Sequence, residues 1–253
     1  MTHITSPQNP RLKAVKRLAT RRERERSERF AAEGEDLVHA AAQAGRELVE
    51  GYRLAGSQIG GAAFHDVEPA ALAAASTLGS STRVIGVYEQ RWGAAAGPLC
   101  VYLHGVGDPG NVGTIVRSAQ AFGASCVALG PGCADPHSPK AVRASMGAIF
   151  SVALARVDDI GELPGERVAL AVDAPTALRG DGGDGGAAGA PLTLLVGAER
   201  EGLPAQIVAA CERSARIPIA SQSLNAAMAA TVALYELTRD GERASHSSRV
   251  RAS

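Results

Sequence analysis

Two polar residues, Asn111 and Arg117, follow a glycine-rich turn at a spacing that suits an anionic ligand. The turn reads Gly105-Val-Gly-Asp-Pro-Gly110 and leads into a segment with helical periodicity. A helix start presents backbone N–H groups that have no partner within the helix, so it attracts anions. Arg117 would lie most of two turns along, and a guanidinium can bind a phosphate with two parallel hydrogen bonds. The spacing therefore favours recognition of a phosphate.

The same turn fits the G-x-G-x-x-G template of dinucleotide-binding proteins, which raises a second hypothesis. That template needs an acidic residue after the next strand to bind a ribose hydroxyl. Asp135 is the candidate, but it lies in a Gly/Pro loop well past the strand expected at 125–129. A nicotinamide site would also leave Asn111 and Arg117 without a role. A nicotinamide oxidoreductase is therefore the weaker hypothesis.

Two later segments have residues suited to holding a small molecule. In Leu195-Val-Gly-Ala-Glu-Arg-Glu-Gly-Leu-Pro204, the glycines allow close approach to the backbone and the proline ends the turn rigidly. Glu199 could orient a polar partner or cap a helix start. Ser223 and Asn225 lie at the start of the last predicted helix and could bind a ligand, although Ser223 could instead be the N-cap.

Positive charge is concentrated near the N-terminus of a chain whose formal net charge is zero. Residues 11–29 contain nine basic and three acidic side chains, so the rest of the chain is mildly negative. Such a segment can contact nucleic-acid phosphates. It could also be a solvated helix with pairs such as Glu25 and Arg29 at i,i+4 spacing. Arg143, in a later helical segment, leaves the same two interpretations open.

The apolar pattern predicts an α/β protein. From residue 99 onward, buried strands expected at 99–103, 125–129, 168–172 and 192–196 alternate with helices at 112–122, 140–146 and 223–238. This alternation is typical of a parallel sheet covered on both faces. Ahead of it, residues 9–45 read as helical, and the small-residue segment 90–98 reads as a linker. Residues 179–191 are a low-complexity stretch expected to form a loop.

Composition excludes several classes of protein. No apolar run approaches the ~20 residues of a membrane span, and the N-terminus has no secretory signal. The four cysteines form no C-x-x-C pair and no metal-ligand spacing with histidine, so we expect reduced cysteines, no metal and a cytoplasmic location.

Three blocks of this sequence together resemble the SpoU (TrmH-type) RNA ribose methyltransferases of the SPOUT superfamily. They are Asp108–Ala124, Leu195–Pro204, and Ile217–Ile219 followed by Ser223–Glu236, and they occur in the family's order. Residues 140–148 resemble the stretch between the first two blocks. The N-terminal Ile4-Thr-Ser-Pro-Gln-Asn-Pro10 and Phe30-Ala-Ala-Glu-Gly34 resemble the ribosomal-protein-like substrate domain that many members carry.

The resemblance implies a parallel-sheet SPOUT domain with a deep C-terminal trefoil knot, preceded by a small α/β domain. We expect an RNA substrate-binding domain at 1–95, the methyltransferase domain at 96–242 and a disordered tail at 243–253. The family's chemistry is transfer of a methyl group from S-adenosylmethionine to a ribose 2′-hydroxyl. The blocks depart from the family at Ala226-Ala227, where many members have Val-Ser, which removes one possible hydrogen bond.

The resemblance also assigns residues to roles. The catalytic set is Asn111, Arg117, Glu199, Ser223 and Asn225, and Glu199 is expected to orient Asn111 or the substrate. The expected cofactor-binding residues are Leu195, Val196, Gly197, Ile217, Pro218, Ile219, Leu224, Asn225 and Ala226. The expected RNA-binding residues are Arg11, Lys13, Lys16, Arg17, Arg21, Arg22 and Arg143.

The family's Arg at position 117 has been cast as the base for the hydroxyl, but a guanidinium stays protonated in proteins. We therefore expect Arg117 to orient an RNA phosphate and to stabilise the developing alkoxide.

The expected partners are RNA and a second copy of the chain. The separate N-terminal domain favours ribosomal RNA over transfer RNA as the substrate. A transfer RNA methyltransferase and a non-catalytic RNA-binding protein of the same fold are the alternatives, and the complete catalytic set argues against the second.

Overall fold

The structure, a computed structural model, describes residues 2–77, 82–179, 190–220 and 223–250, with side chains up to residue 239 in the last range. The contacts divide the chain into two compact units. Unit 1 comprises residues 1–91 and 135–151, and unit 2 comprises residues 92–134 and 152–253. The segment 135–151 therefore packs with the N-terminal residues, although it follows the first methyltransferase block in sequence.

Unit 1 is a five-stranded mixed sheet with helices. Its strands, in the order β1-β4-β3-β5-β2, are β1 (His3–Ile4), β2 (Arg29–Glu33), β3 (Glu50–Leu54), β4 (Phe64–Val67) and β5 (Val84–Glu89). β5 runs antiparallel to β2 and β3, and the other pairs are parallel. The helices are α1 (Pro10–Arg17), α2 (Arg21–Ser27), α3 (Glu35–Gln43), α4 (Pro69–Ala75) and, from the later segment, α6 (Pro139–Ala144).

The helix predicted over residues 9–45 is wrong, because the chain breaks it twice and inserts β2. Glu28 adopts a left-handed backbone conformation (φ 55°, ψ 29°) that ends α2. The next five residues alternate between outward and inward positions and pair with β5, which buries Phe30 completely. Phe30 packs on Phe150 and His137 at ring-centroid distances of 5.8 and 4.8 Å. Packing of one aromatic ring thus outweighs the helical propensity around it.

Unit 2 is built on a six-stranded, entirely parallel sheet. Its strands, in the order β11-β9-β10-β6-β7-β8, are β6 (Leu99–Leu103), β7 (Cys126–Leu129), β8 (Ala153–Arg156), β9 (Glu166–Leu170), β10 (Leu192–Val196) and β11 (Arg213–Ala215). The helices are α5 (Pro109–Ala121), α7 (Ala205–Ala209) and α8 (Ala226–Val250). The α/β parallel-sheet prediction is confirmed, while the expected knot stays a prediction.

The strands at 99–103 and 192–196 match their predicted bounds, and those at 125–129 and 168–172 shift by one or two residues. The sequence did not predict β8 and β11. Both are sheet-edge strands of three or four residues that contain arginine, so they lack the apolar runs that mark central strands.

The last helix is longer than expected. α8 continues to Val250, past residue 242, where we expected the ordered chain to end. The segment after Arg239 has alanine, arginine and glutamate and no proline, so its backbone is compatible with a helix despite its lack of an apolar stripe. Part of the expected loop (residues 180–189) and the final residues 251–253 lie outside the described residues.

Candidate active site

Asp108 fixes the first turn of α5, which carries Asn111. Its carboxylate accepts a hydrogen bond from the Asn111 backbone N–H at 3.0 Å, and Pro109 occupies the first helical position. Proline suits this position because its missing N–H would have no partner in the helix. The Asp-Pro pair therefore fixes where α5 begins, and with it the position of Asn111 in the first turn.

Three predicted catalytic residues form one hydrogen-bonded chain within unit 2. The Asn111 side-chain amide donates to Glu199, and the Asn225 amide donates to the Asn111 carbonyl oxygen at 3.1 Å. The Glu199 and Asn225 contacts thereby fix which end of the Asn111 amide is oxygen and which is nitrogen. The structure thus brings residue 111 together with residues 199 and 225, each of which lies more than 80 positions away from it in sequence.

Asn225 also begins the last helix. Its side-chain oxygen accepts hydrogen bonds from the backbone N–H groups of Ala227 at 2.9 Å and Met228 at 3.3 Å. Asn225 therefore has the N-cap role that the sequence left open for Ser223. Ser118 and Thr231 join α5 to α8 through their hydroxyls at 2.6 Å. These contacts hold the two helices that position the amides of residues 111 and 225.

Arg117 lies on α5 with an exposed side chain. Its guanidinium is therefore accessible to a ligand on the helix that also carries Asn111. Its role in orienting a phosphate stays a prediction.

A cavity of about 790 Å³ adjoins the hydrogen-bonded chain. Glu199 and Ser223 contribute to its wall. So do six of the nine predicted cofactor-binding residues, namely Val196, Gly197, Ile217, Ile219, Leu224 and Ala226. Leu195 instead lies in the core with no exposed surface, and neither Pro218 nor Asn225 lines this cavity. The second and third sequence blocks thus line one cavity, and the first block reaches its wall through the contact of Asn111 with Glu199.

Sequence reasoning missed one wall of this cavity, formed by residues 170–173. This segment follows β9, where Asp173 comes three residues after the end of the strand. An acidic residue just beyond a buried parallel strand is a signal that could have found it, since ligands bind at the carboxyl ends of such strands.

Position 197 has no room for a side chain, because the backbone of Gly202 and Leu203 packs directly against it. A Cβ at this position would lie 2.1 Å from the Gly202 carbonyl carbon and 2.4 Å from the Leu203 nitrogen. Gly202 itself has φ 67°, and its N–H donates to the Ala198 carbonyl at 2.9 Å, closing a tight turn. The turn thus exposes backbone groups to the cavity.

The predicted RNA-binding side chains lie in unit 1. Arg11, Lys13, Lys16, Arg17, Arg21, Arg22 and Arg143 are all exposed. Two of them form ion pairs, Arg11 with Glu50 at 2.5 Å and Arg21 with Glu25 at 2.7 Å. Arg24, from the same basic segment, is buried against Asp135 at 2.7 Å and donates to the carbonyls of Leu18 and Ala19. Arg24 therefore has a structural role.

No helix in the described ranges is long and apolar enough to cross a membrane. Across those same ranges, no three His, Cys, Asp or Glu side chains are grouped so that they could hold a metal ion.

Comparison with known families identifies both parts of the chain. Residues 98–235 match the SpoU rRNA Methylase family, and residues 9–86 match the MRM3-like substrate binding domain. The chain belongs to the SpoU rRNA methylase family. The match spans the first two sequence blocks, the third as far as residue 235, and every residue of the hydrogen-bonded chain described above.

Similar proteins include two 23S rRNA methyltransferases. The Streptomyces viridochromogenes 23S rRNA (uridine(2479)-2'-O)-methyltransferase is 38% identical over 140 residues, which cover 52% of this chain and 49% of that protein. The Bacillus subtilis 23S rRNA (guanosine(2553)-2'-O)-methyltransferase RlmP is 29% identical over 94% of this chain and 99% of its own. The chain therefore spans about half the length of the first relative and nearly all of the second.

Solved structures share the whole architecture. The rRNA methyltransferase from Sinorhizobium meliloti superposes with a TM-score of 0.81 at 31% identity, covering 94% of this chain and 98% of that one. The AdoMet-bound form of an rRNA methyltransferase from the same organism gives 0.80 at 30% identity with the same coverage.

Proposed function

We propose that this protein methylates a ribose 2′-hydroxyl of ribosomal RNA with S-adenosylmethionine as the methyl donor. The observation that carries the proposal is the hydrogen-bonded chain of Glu199, Asn111 and Asn225 beside the large cavity. A protein that only binds RNA has no need of an amide fixed from both sides. Family membership and the names of the two relatives support the same activity.

The cavity fits the proposed cofactor in size and in lining. Its volume of about 790 Å³ lies within the range typical of small-molecule sites. The turn at Gly197–Gly202 presents backbone groups to an adenosine, while Ile217, Ile219 and Leu224 offer apolar contact. The sulfonium of S-adenosylmethionine supplies an electrophilic methyl group when bound. The protein's part is to hold the hydroxyl in place and to help it lose its proton.

In this proposal Arg117 orients the RNA. Its exposed guanidinium binds a phosphate beside the target ribose and stabilises negative charge that develops on the hydroxyl oxygen. Asn111, held by Glu199 and Asn225, presents a fixed amide to the ribose. Near-normal turnover of Arg117→Lys would contradict the proposal that Arg117 binds the phosphate with two parallel hydrogen bonds.

Ribosomal RNA is the favoured substrate because the basic surface of unit 1 lies within residues 9–86, which match the MRM3-like substrate binding domain. Lys13, Lys16, Arg17 and Arg22 are exposed there and would contact phosphates without reading base identity. We place the protein in the cytoplasm, where ribosomal RNA is made and modified in bacteria.

We also propose that the protein acts as a homodimer. Met228, Val232 and Tyr235 are 61%, 41% and 54% exposed, and their i, i+4, i+7 spacing puts them on one stripe of α8. An exposed apolar stripe on a helix is stabilised when a second copy covers it. Val232→Glu is expected to convert a dimer to a monomer in sedimentation, whereas Thr238→Glu, on the same helix, is expected to leave it intact.

Calorimetric titration with S-adenosylmethionine and with NAD tests the cofactor. Saturable binding of S-adenosylmethionine alone is expected. Binding of NAD alone would support the oxidoreductase hypothesis, and binding of neither ligand, with RNA binding intact, would support a non-catalytic RNA-binding protein.

A further inference from the structure

A second cavity in unit 2, of about 320 Å³, shares Ala198, Glu201 and Gly202 with the large cavity. We call it the side cavity. The remaining wall includes His104 and Gly105, directly after β6, and Gly132, after β7. The turn at 198–202 therefore borders both cavities. Glu199, which accepts from the amide of Asn111, lies within this same turn.

The side cavity is connected through one loop to Asn111, beside which the reacting hydroxyl is proposed to bind. The loop that starts at His104 continues to Asp108, the residue that caps α5 and fixes Asn111. A nucleotide's base is attached to the ribose carbon next to the one that bears the 2′-hydroxyl. A ribose held beside Asn111 therefore carries its base one carbon away from the reacting position, and that base needs a space of its own.

Glycines keep the walls of the side cavity close together and flat. Gly105 and Gly132 have φ of 69° and 76°, and a Cβ on Gly132 would lie 3.1 Å from the Gly105 Cα. Any larger residue at 132 would be strained and would press on the opposite wall. The Gly105 N–H also donates to the Pro131 carbonyl at 2.9 Å, so the two segments are in contact and form one peptide surface on which a planar aromatic ligand can lie.

Two polar side chains on the wall have complementary chemistry. The Glu201 carboxylate can only accept hydrogen bonds when ionised. His104 Nδ1 lies 3.2 Å from the hydroxyl of Tyr102, a residue with no exposed surface. Burial raises the pKa of Tyr102 to about 12, so its hydroxyl keeps its proton and can donate to Nδ1. With Tyr102 as the donor of this hydrogen bond, the neutral His104 ring carries its proton on Nε2, which can then donate.

We propose that the side cavity receives the base of the target nucleotide and that Glu201 and His104 select guanine, an inference that rests on the proposed function. Guanine presents two adjacent donors, N1–H and the 2-amino group, next to the acceptor O6. The Glu201 carboxylate accepts from both donors, and His104 Nε2 donates to O6. Adenine, cytosine and uracil each lack a pair of adjacent donors, so they would leave the carboxylate partly unpaired.

The first test identifies the methylated nucleoside. The full-length protein is incubated with unmethylated ribosomal RNA and methyl-tritiated S-adenosylmethionine, and the RNA is digested to nucleosides and separated. Label in 2′-O-methylguanosine is the expected result. Label in the uridine, cytidine or adenosine derivative would overturn the base selection while leaving the proposed function standing. Absence of label from every nucleoside would overturn the proposed function and the base selection with it.

The second test assigns the selection to Glu201. In an RNA with inosine at the modified position, which lacks the 2-amino group, wild-type kcat/KM is expected to fall by about tenfold or more. Glu201→Gln is expected to lose a similar factor on guanosine and to show no further loss on inosine. Glu162→Gln, an exposed carboxylate elsewhere in unit 2, is the matched control and should behave as wild type.

Glu201 also borders the large cavity, so cofactor binding must be measured separately. In calorimetry, the affinity of Glu201→Gln for S-adenosylmethionine is expected to lie within about twofold of wild type. A twofold change in affinity corresponds to much less free energy than the loss of one hydrogen bond to a charged group. Equal inosine discrimination by wild type and Glu201→Gln would contradict the assignment, as would a loss in Glu201→Gln explained entirely by weaker cofactor binding. His104→Phe gives an independent check, since it should raise KM for the RNA without changing cofactor affinity.

Discussion

At the scale of single residues, the site depends on the orientation of one amide. Glu199 accepts from the Asn111 nitrogen, and Asn225 donates to its oxygen at 3.1 Å. A flipped amide would place a donor against a donor and an acceptor against a carboxylate, and both contacts would be lost. Asn111 therefore presents a single face to the substrate.

Asn111→Asp keeps the shape of residue 111 but replaces its donor with a second carboxylate facing Glu199. Two adjacent carboxylates repel, and this raises the pKa of one of them. Turnover at pH 8 is expected to fall on the order of tenfold to a hundredfold. It should recover partly as the pH is lowered and the pair gains a proton, which a pH–rate profile would show.

Asn9→Asp is the control for this substitution. Asn9 caps α1 in unit 1 by accepting from the Arg11 N–H at 2.9 Å, and aspartate caps a helix equally well. Its pH–rate profile should match the wild type. A flat profile for Asn111→Asp, parallel to that of Asn9→Asp, would contradict the role of the Glu199 contact.

The residues of the site were largely predictable, but their contacts were not. The resemblance assigned Asn111, Glu199 and Asn225, and the structure joins them. The sequence offered Ser223 as a possible N-cap of the last helix, whereas Asn225 has that role in the structure; both residue types accept from free N–H groups. It also gave no prediction for the 170–173 wall, since that segment becomes part of the site only when the parallel sheet brings strand ends together.

At the scale of elements, the turn between β10 and α7 determines the shape of the large cavity. Gly197→Ala places a methyl group 2.1 Å from the Gly202 carbonyl carbon, which is backbone and cannot rotate away. Overpacking of this kind costs about 1–3 kcal/mol. We expect S-adenosylmethionine affinity to fall at least about tenfold in calorimetry, because the turn must shift by an appreciable fraction of a bond length.

Gly93→Ala is the matched control, because a Cβ there meets nothing within 4 Å. It should leave cofactor affinity unchanged. Wild-type affinity in Gly197→Ala would show that the turn does not shape the binding site.

Glu28 offers a test of how α2 ends. The left-handed conformation of Glu28 (φ 55°) costs about 1–2 kcal/mol of steric strain because the residue has a Cβ. Glycine avoids that strain, but it loses more backbone entropy on folding, which offsets part of the gain. Glu28→Gly is therefore expected to raise the free energy of unfolding by about 0.5–1 kcal/mol in urea denaturation. Glu25→Gly, inside the same helix, should lower it by about 1 kcal/mol. A destabilised Glu28→Gly variant would mean that the Glu28 side chain stabilises the turn.

The elements that the sequence predicted best are those buried on both faces. β6 and β10 are central strands with continuous apolar runs, and their predicted bounds are correct. The single helix predicted over residues 9–45 failed, because a run of charged residues reads as helical on both sides of a five-residue strand. The pairing of β2 with β5, distant in sequence, and the packing of Phe30 make Arg29–Glu33 extended.

At the scale of the whole molecule, the distribution of charge matters more than its sum. The net charge is zero, yet exposed basic side chains are concentrated on α1 and α2. Phosphate contacts release counterions, so the logarithm of RNA affinity falls with the logarithm of salt concentration. Lys16→Ala and Arg22→Ala are each expected to reduce that slope by about one, measured by fluorescence anisotropy over a salt series.

Arg167→Ala provides the comparison, because Arg167 already pairs with Glu212 at 2.5 Å in unit 2. It should leave the slope unchanged. Equal slopes for all three variants and the wild type would contradict the assignment of the basic surface to RNA.

The central claim is methyl transfer to a ribose hydroxyl of ribosomal RNA, and one measurement tests it most directly. Methyl-tritiated S-adenosylmethionine is incubated with ribosomal RNA fragments or with transfer RNA, in the presence of wild-type protein or Arg117→Ala. We predict label in alkali-resistant dinucleotides of ribosomal RNA with the wild type, and its loss with Arg117→Ala. Label in transfer RNA alone, in alkali-sensitive products, or at equal levels with both proteins would contradict this account.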